Sequence, residues 1–459
     1  MPVDSKAPEY DALVGTWQKC RDAFAGQDAV QKRGSDYVPA LDSQSPTQYI
    51  NYLSRGLYFN ATARTVSGLT GACFRRDPQI EAAAAEPYLS DITLTDLPFE
   101  QLAKTAMAEV LVVGRFGILC DYSTEEARPY LSPYTAENII NWRIERIGGR
   151  SVLTQVVLAE TGHVADVDDP FKLDSQDRLR VLSLEDGRYF VRLYVAVKTP
   201  TGRKDRYVLV DEIVPTIQGA ALDYIPMVII NSNSVGPATE RPPLLDVVDA
   251  NLHHWRLSCD YAHGLHYTGL PTAIAAGFPK SNEGYTIGPG TAWWSEAADA
   301  KAYYLEFTGQ GLGEMREAMS ETEAKMAALG GRLLEKPKHA AEAAAAIRLR
   351  TAGDQATLAG IVETLDRGLT QAVALLNQWI GANADGVDVL LNKDFFGETM
   401  TADEAVKLMQ IVQAGYMSVD NLMFLYDRGE LLRPGTSPQD EREIIELQGA
   451  MQSVLQSEG

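Results

Sequence analysis

ERPPLLDVVDANLHHWRLSCDYAHGLHY (240–267) and GLGEMREAMSETEAKMAALGGRLLE (311–335) read as two amphipathic helices either side of a segment of different texture. In the first, Leu245, Val248, Leu252, Trp255, Cys259 and Ala262 recur at spacings of three and four, which puts them on one helix face. In the second, Leu312, Met315, Met319, Met326, Leu329 and Leu333 form the apolar stripe. Glu314, Glu317 and Glu321 face away from it, and Glu321 and Lys325 stand in the favourable i,i+4 order. Residues 268–307 between them are rich in Gly, Pro and aromatics, with strand-like pieces carrying Trp293, Trp294, Tyr303 and Tyr304. GQGLGE (309–314) imitates a glycine-rich phosphate loop but lacks the strand and the ribose-binding acid, so it reads as a hinge entering a helix.

The second helix runs into LGGRLLEKPKHAAEAAAA (329–346). Gly330 and Gly331 each disfavour helix by about 1 kcal/mol relative to alanine. Pro337 removes a helical donor and fixes a bend. Glu335, Lys336, Lys338 and His339 lie at that bend, and the alanines lead toward a third helix over about 355–381, with Leu358, Ile361, Leu365, Leu369, Ala372, Leu376 and Trp379 as its stripe.

Upstream, 46–70 reads as helix, with Tyr49, Leu53, Leu57 and Ala61 four apart and Pro46 in the first turn. LPFEQLAKTAMAEVLVVGRFGILCDY (97–122) reads as a helix ending near Gly114 and passing into a strand. From 151 to 231 the runs SVLTQVVLAE, RLRVLSLE, YFVRLYVAVKT, RYVLVDEIV and PMVIIN are short and β-rich, divided by turn chemistry such as EDGR. Downstream, VDVLLNKDF reads as a strand. Thr401 with Glu404 forms a capping box, Ser418 caps a second short helix, and Ser437-Pro438 opens a third. The fold class is therefore α+β in several modules.

The 459 residues are 45% hydrophobic and 22% charged, as in ordinary globular proteins, and carry a net charge of −21. Proteins that grip DNA do so with Lys and Arg, so this chain is not a tight bulk DNA binder; an acidic wall instead keeps a passing duplex from sticking. No apolar run approaches the roughly 20 residues that span a bilayer, and MPVDSKAPEYD lacks a signal-peptide pattern. Cys20, Cys73, Cys120 and Cys259 are scattered, as reduced, buried thiols of a cytosolic product would be.

Enzyme signatures are missing: no P-loop, no G-x-S-x-G, no H-E-x-x-H. The acidic DVDDPFKLDSQD (166–177) lacks the glycine and closing glutamate of an EF-hand loop and reads as a solvated loop. His253, His254, His263 and His266 share one helix, and Cys259 sits a turn before His263, but a metal needs further ligands; interface or core histidines are the plainer reading. No catalytic residue, metal or cofactor is assigned.

Several stretches together resemble the portal, or head–tail connector, proteins of tailed bacteriophages. YLSRGLYFNATARTVSGLTGACFRRDP (52–78) is similar to a portal helix leading into a Gly-x-x-Phe-Arg element. FGILCDY (116–122) followed by SPYTAENIINW (132–142) resembles the portal strand and its Pro-x-x-Ile-x-x-Trp segment. IPMVIINSN (225–233), the helix–insert–helix–loop–helix series, and TADEAVKLMQIVQAGYMSVDNLMFLYDRGELL (401–432) complete a likeness over nearly the whole chain. It implies a ring, typically of roughly twelve subunits, at one capsid vertex. DNA would enter and leave through its channel without sequence recognition; the terminase, a head–tail adaptor and the major capsid or scaffold protein would be its partners, with no membrane involved. The protein would reside in the virion, and in the host cytoplasm during assembly. It would have no catalysis of its own.

On that pattern 1–235 with 382–399 is the wing, 236–267 and 311–334 the stem helices, and 268–310 the clip. Residues 335–381 are the tunnel loop and long helix, and 400–459 the crown. Lys336, Lys338 and His339 would then ring the channel; Glu314, Glu317, Glu321 and Lys325 would line the stem; Trp293, Trp294, Tyr303 and Tyr304 would serve clip contacts. Without the family, the same residues read as a solvated loop, a solvated helix face and ordinary β packing. The competing readings are another virion protein (tail adaptor or scaffold) and an enzyme of unrecognised class.

Overall fold

The computed structural model describes residues 2–165, 169, 171–197, 206–270, 272–279, 285–286, 292–305, 309–330, 344–395, 400–429, 431–433 and 438–457. The chain is α+β and divides into two units, Met1–Leu391 and Asn392–Gly459.

The first unit opens with helices α1 (Pro8–Ala25), α2 (Gln27–Arg33), α3 (Pro46–Arg55) and α4 (Ala61–Cys73). The single helix read over 46–70 is in fact two. Ser45 and Gln48 make a capping box ahead of α3, and Asn60 caps α4 by accepting from the Ala63 amide. The break is tertiary in origin. Gly56 is pressed so close to a later helix that a Cβ there would lie 2.4 Å from Cys259 Sγ. Leu57, expected on the buried stripe, is 70% exposed.

Strand β1 (Gln79–Glu81) precedes α5 (Phe99–Val113), which ends at Gly114 in the left-handed region (φ 78°), as the sequence implies. The chain then enters β2 (Arg115–Ser123), β3 (Arg128–Thr135), β4 (Ile139–Ile147), β5 (Arg150–Ala165), β6 (Leu173–Glu185), β7 (Arg188–Val197) and β8 (Arg206–Ile213). Two short strands follow, β9 (Thr216–Ile217) and β10 (Ala220–Ala221), then β11 (Met227–Asn231). These make two main sheets: antiparallel β11-β2-β3, and antiparallel β4-β5-β6-β7-β8. The second half of the acidic 166–177 stretch lies at the start of β6 rather than in a loop, while 166–168 and 170 lie outside the described residues. EDGR is a tight turn with Asp186 and Gly187 both at positive φ.

Leu119, Tyr134, Ile139, Val156, Leu158, Leu182, Ile225, Met227 and Ile229 form one core joining the two sheets. A polar clamp sits within the same contact. Arg180 donates to Asp121 at 2.6 Å and to Glu160 at 2.7 Å, and Tyr134 donates to Glu160 at 2.6 Å.

Next come α6 (Leu245–Gly269), β12 (Thr272–Ala276), β13 (Lys301–Leu305), α7 (Gln310–Leu329) and α8 (Ala344–Ile380). Strand β14 (Asp388–Leu390) returns to pair with β1. Helix α8 begins earlier than its apolar stripe suggests, since alanine is the strongest helix former. Its buried Leu358, Ile361, Leu365, Leu369 and Leu376 press it onto the β11-β2-β3 sheet, where Gly368 sits so tightly on Ile230 that a Cβ would lie 2.4 Å away.

The second unit holds α9 (Ala402–Gln413), α10 (Val419–Arg428) and α11 (Pro438–Ser457). The Thr401–Glu404 capping box and the Ser418 cap form as read, and Tyr426 ties α10 to α9 by donating to the Ala405 carbonyl at 3.0 Å.

Candidate functional site

The helix α6, the hairpin β12–β13 and the helix α7 make one module. The two helices run antiparallel: Gly264 packs on Leu312, His254 Nε2 lies 3.2 Å from Glu323 Oε1, and Val247 approaches Gly330. A Cβ at position 264 would lie 2.7 Å from Leu312 Cδ2, so the missing side chain lets the helices close there.

The first two-thirds of α6 are fixed to the N-terminal helices. Val248, Leu252, Trp255 and Cys259 are buried, as their spacing implies; Leu245 and Ala262 are half-buried. Trp255 is wholly buried and meets the Tyr58 ring edge-on at 6.3 Å. Polar groups complete the seam. Asn251 Oδ1 accepts from the Thr62 amide and hydroxyl at 3.0 and 2.9 Å, while its Nδ2 donates to the Phe59 carbonyl at 2.7 Å. Tyr52 donates to Asp260 at 2.6 Å, Ser258 accepts from the Leu57 amide at 3.0 Å, and Lys19 pairs with Asp249 at 2.6 Å. Sequence patterning did not single out these positions. The usable signal was Asn251, an amide inside an otherwise apolar helix face.

Past Cys259 the helix emerges. Leu265, His266 and Tyr267 are exposed, and His263 stacks edge-on with Tyr52 and Tyr267 at 5.2 and 4.7 Å. Burial, then the nearby Arg55 and His266, hold the His263 imidazole below its ordinary pKa. Among the described residues no group of three or more His, Cys, Asp or Glu side chains converges.

On α7, Thr322 and Met326 are buried and Leu312, Met315 and Met319 half-buried, while Leu329 is half exposed instead of packed. Glu314, Glu317, Glu321 and Lys325 are all exposed. Glu335, Lys336, Lys338 and His339 lie outside the described residues.

In the hairpin, Ala273 pairs with Tyr304 and Ile274 with Tyr303, so the two tyrosines point to opposite faces, each about half exposed. Trp294 is 74% exposed. Its neighbour Trp293 is turned inward. It donates to the Thr286 carbonyl at 2.9 Å and packs with Tyr285 and Phe278 at centroid distances of 5.2 and 6.1 Å. The tip thus carries a small aromatic core of its own, leaving Trp294, Tyr303 and Tyr304 as outward groups.

The entry to α6 is set by a polar knot. The Glu240 carboxylate accepts from Ser232 Oγ (2.6 Å), Ser234 Oγ (2.7 Å), and the Asn233 amide and Nδ2 (2.8 and 2.9 Å). Burial works to raise the Glu240 pKa, but these donors outweigh it and hold it below the ordinary value. A group held below its unfolded value contributes stability that is present above that value and lost as pH falls through the folded one. Glu240→Gln is expected to cost about 1–2 kcal/mol and to flatten the acid side of the stability–pH profile. Denaturant melts between neutral and acidic pH check this; an unchanged profile would show that the knot is not a stability element.

No helix among the described residues is long and apolar enough to cross a membrane. Residues 243–380 match the model of a family described as a domain of unknown function, DUF4055. No curated protein matches the chain. Among solved structures, the chain is similar to one from the neck of an empty GTA particle computed with C6 symmetry, at 14% identity and a TM-score of 0.42, covering 85% of this chain and 95% of that one. It is also similar to one from the virion of a native gene transfer agent particle, at 13% identity and a TM-score of 0.42 over the same shares.

Proposed function

We propose that this chain is a portal-type subunit that assembles into a ring, dodecameric as is usual for such connectors, at one vertex of a phage-like capsid. DNA would pass through the ring during packaging and ejection, and terminase and a head–tail adaptor would dock on it. The observation that carries the reading is the helix–hairpin–helix module. Two antiparallel helices, the first anchored at one end in the N-terminal helices and the second packed along it, end in a hairpin with outward aromatics. The sequence resemblance to portal proteins supports it. On this reading α6 and α7 are the stem, the hairpin is the clip, residues 1–235 with 382–399 the wing, and 400–459 the crown. Trp294, Tyr303 and Tyr304 are then contact groups for neighbours or docking partners, since exposed aromatics often dominate such interfaces.

Lys336, Lys338 and His339 are proposed to form a positive ring in an otherwise acidic passage. Few, exchangeable phosphate contacts suit a guide better than a grip. The double variant Lys336→Glu, Lys338→Glu is expected to assemble normally and to reduce DNA-filled heads by on the order of tenfold. Normal filling would remove the guide role from this loop. The reading as a whole is tested by the mass of the purified assembly and by class averages in electron microscopy. A closed ring with a central hole is expected; a compact monomer at high concentration would overturn it.

A further inference from the structure

The residue after Gly114 is a buried cation. Arg115 opens β2 and is 1% exposed. Its Nη1 donates to the Pro237 carbonyl at 2.8 Å and to the Ala238 carbonyl at 3.3 Å, and its guanidinium lies 4.2 Å over the Trp142 ring. Nε and Nη2 meet no acceptor. That is the edge with which Arg21 clamps the Glu137 carboxylate, at 2.9 and 3.0 Å. Among the described residues no carboxylate pairs with Arg115, and burial alone brings its pKa down to about 10. A buried charge without a counter-charge costs stability, so the contribution of this side chain lies in geometry.

Three parts of the fold meet at the guanidinium. Strand β2 belongs to the small sheet, Trp142 lies on β4 of the large sheet, and Pro237 and Ala238 lie in the lead into α6. The neighbours of Arg115 hold the same lead. Asn231, directly across the ladder, donates from Nδ2 to the Gly236 carbonyl at 2.8 Å. One residue back, a Cβ at Gly114 would lie 3.4 Å from the Arg241 carbonyl and from Pro242 Cα, so the lead runs directly against the α5–β2 junction. The consecutive carbonyls of Gly236, Pro237 and Ala238 are thus held by the side chains of one cross-strand pair. The Glu240 knot does something different. It gathers 232–234 and 240 onto each other, within the lead itself, whereas Arg115 fastens the lead to the two sheets.

We infer that Arg115 is the positioning residue for α6: it fixes the direction in which that helix leaves the two sheets, and with it the placement of the helix–hairpin–helix module, without adding to stability. Its consequence for assembly rests on the ring reading above. Copies related by rotation close into a ring only when each presents its module at the same angle. A lead tied only by the Glu240 knot would keep its own shape and lose that angle.

The test uses Arg115→Met in the full-length chain. The thioether is uncharged and packs well on an aromatic ring such as Trp142. The freed carbonyls can turn to water, since Pro237 is half-buried and Ala238 exposed. The denaturant midpoint is expected to hold or rise, while amide exchange over 236–252 speeds up by on the order of tenfold relative to β5 and β6. Arg115→Lys keeps the charge without the fork and should fall between. In micrographs, closed rings of the Met variant are expected to drop by on the order of tenfold. A lowered midpoint with exchange raised throughout would make Arg115 an ordinary stability element and overturn the inference. Exchange over 236–252 equal to the parent's would overturn it as well. Undiminished rings from a variant with altered exchange would overturn the link between the direction of α6 and closure. A parent that forms no rings would overturn the ring reading, and the exchange data would still decide the role of Arg115.

Discussion

Trp255→Ala is expected to lower the stability of the first unit by about 3–5 kcal/mol. The indole is wholly buried at the point where α6 crosses the N-terminal helices, against Tyr58 and beside the Gly56–Cys259 contact. Removing it leaves a void that this seam cannot close. Gly56 already lets α3 approach as near as the Cys259 backbone allows, and Asn251 fixes the spacing from the α4 side. A loss of this size exceeds that of an ordinary core substitution and is a sizeable part of a domain's total stability. The denaturant midpoint should fall with little change in slope. Trp255→Phe, which keeps most of the volume, should recover much of the loss. If both variants melt like the parent, α6 is not held by this seam, and the module would have no rigid root.

Arg180→Met is expected to cost about 2–4 kcal/mol. Its guanidinium bridges Asp121 on β2 and Glu160 on β5, so it ties the small sheet to the large one. All three side chains are about one-fifth exposed, which places the expected loss below that of a fully dry ion pair. Burial works against the Arg180 charge, but Tyr134, Glu160 and Asp121 outweigh it and hold the group protonated. Removing the cation leaves two carboxylates facing each other without a counter-charge, so the variant should lose stability as pH rises through the carboxylate range. Arg180→Lys keeps the charge without the fork that reaches both acids and should fall between. A loss below about 0.5 kcal/mol for Arg180→Met would show that the apolar core alone holds the sheets together.

Both sites show where sequence reasoning reaches and where it stops. The burial of Val248, Leu252, Trp255 and Cys259 follows from spacing on one helix, and the stop at Gly114 follows from local backbone chemistry. The division of 46–70 into two helices does not, because a contact with Cys259, some two hundred residues on, imposes it. Strand pairing is equally non-local: β11 joins β2 across more than a hundred residues, so the partition into two sheets was invisible although β2, β5, β6, β7, β8 and β11 were legible as separate runs. At the candidate site, the module was readable as alternating texture. That Trp293 turns inward while Trp294 faces out depends on the ring contacts of Phe278 and Tyr285, which no alternation rule encodes.

The way the hairpin is held has an evolutionary consequence. Its root is fixed by Gly264 against Leu312 and by the pairing of Thr272–Ala276 with Lys301–Leu305, while its tip carries its own aromatic core. Insertions or deletions between Ala276 and Lys301 therefore leave the registration of the two helices unchanged. This is the stretch in which related lineages can diverge in length and composition without refolding the rest.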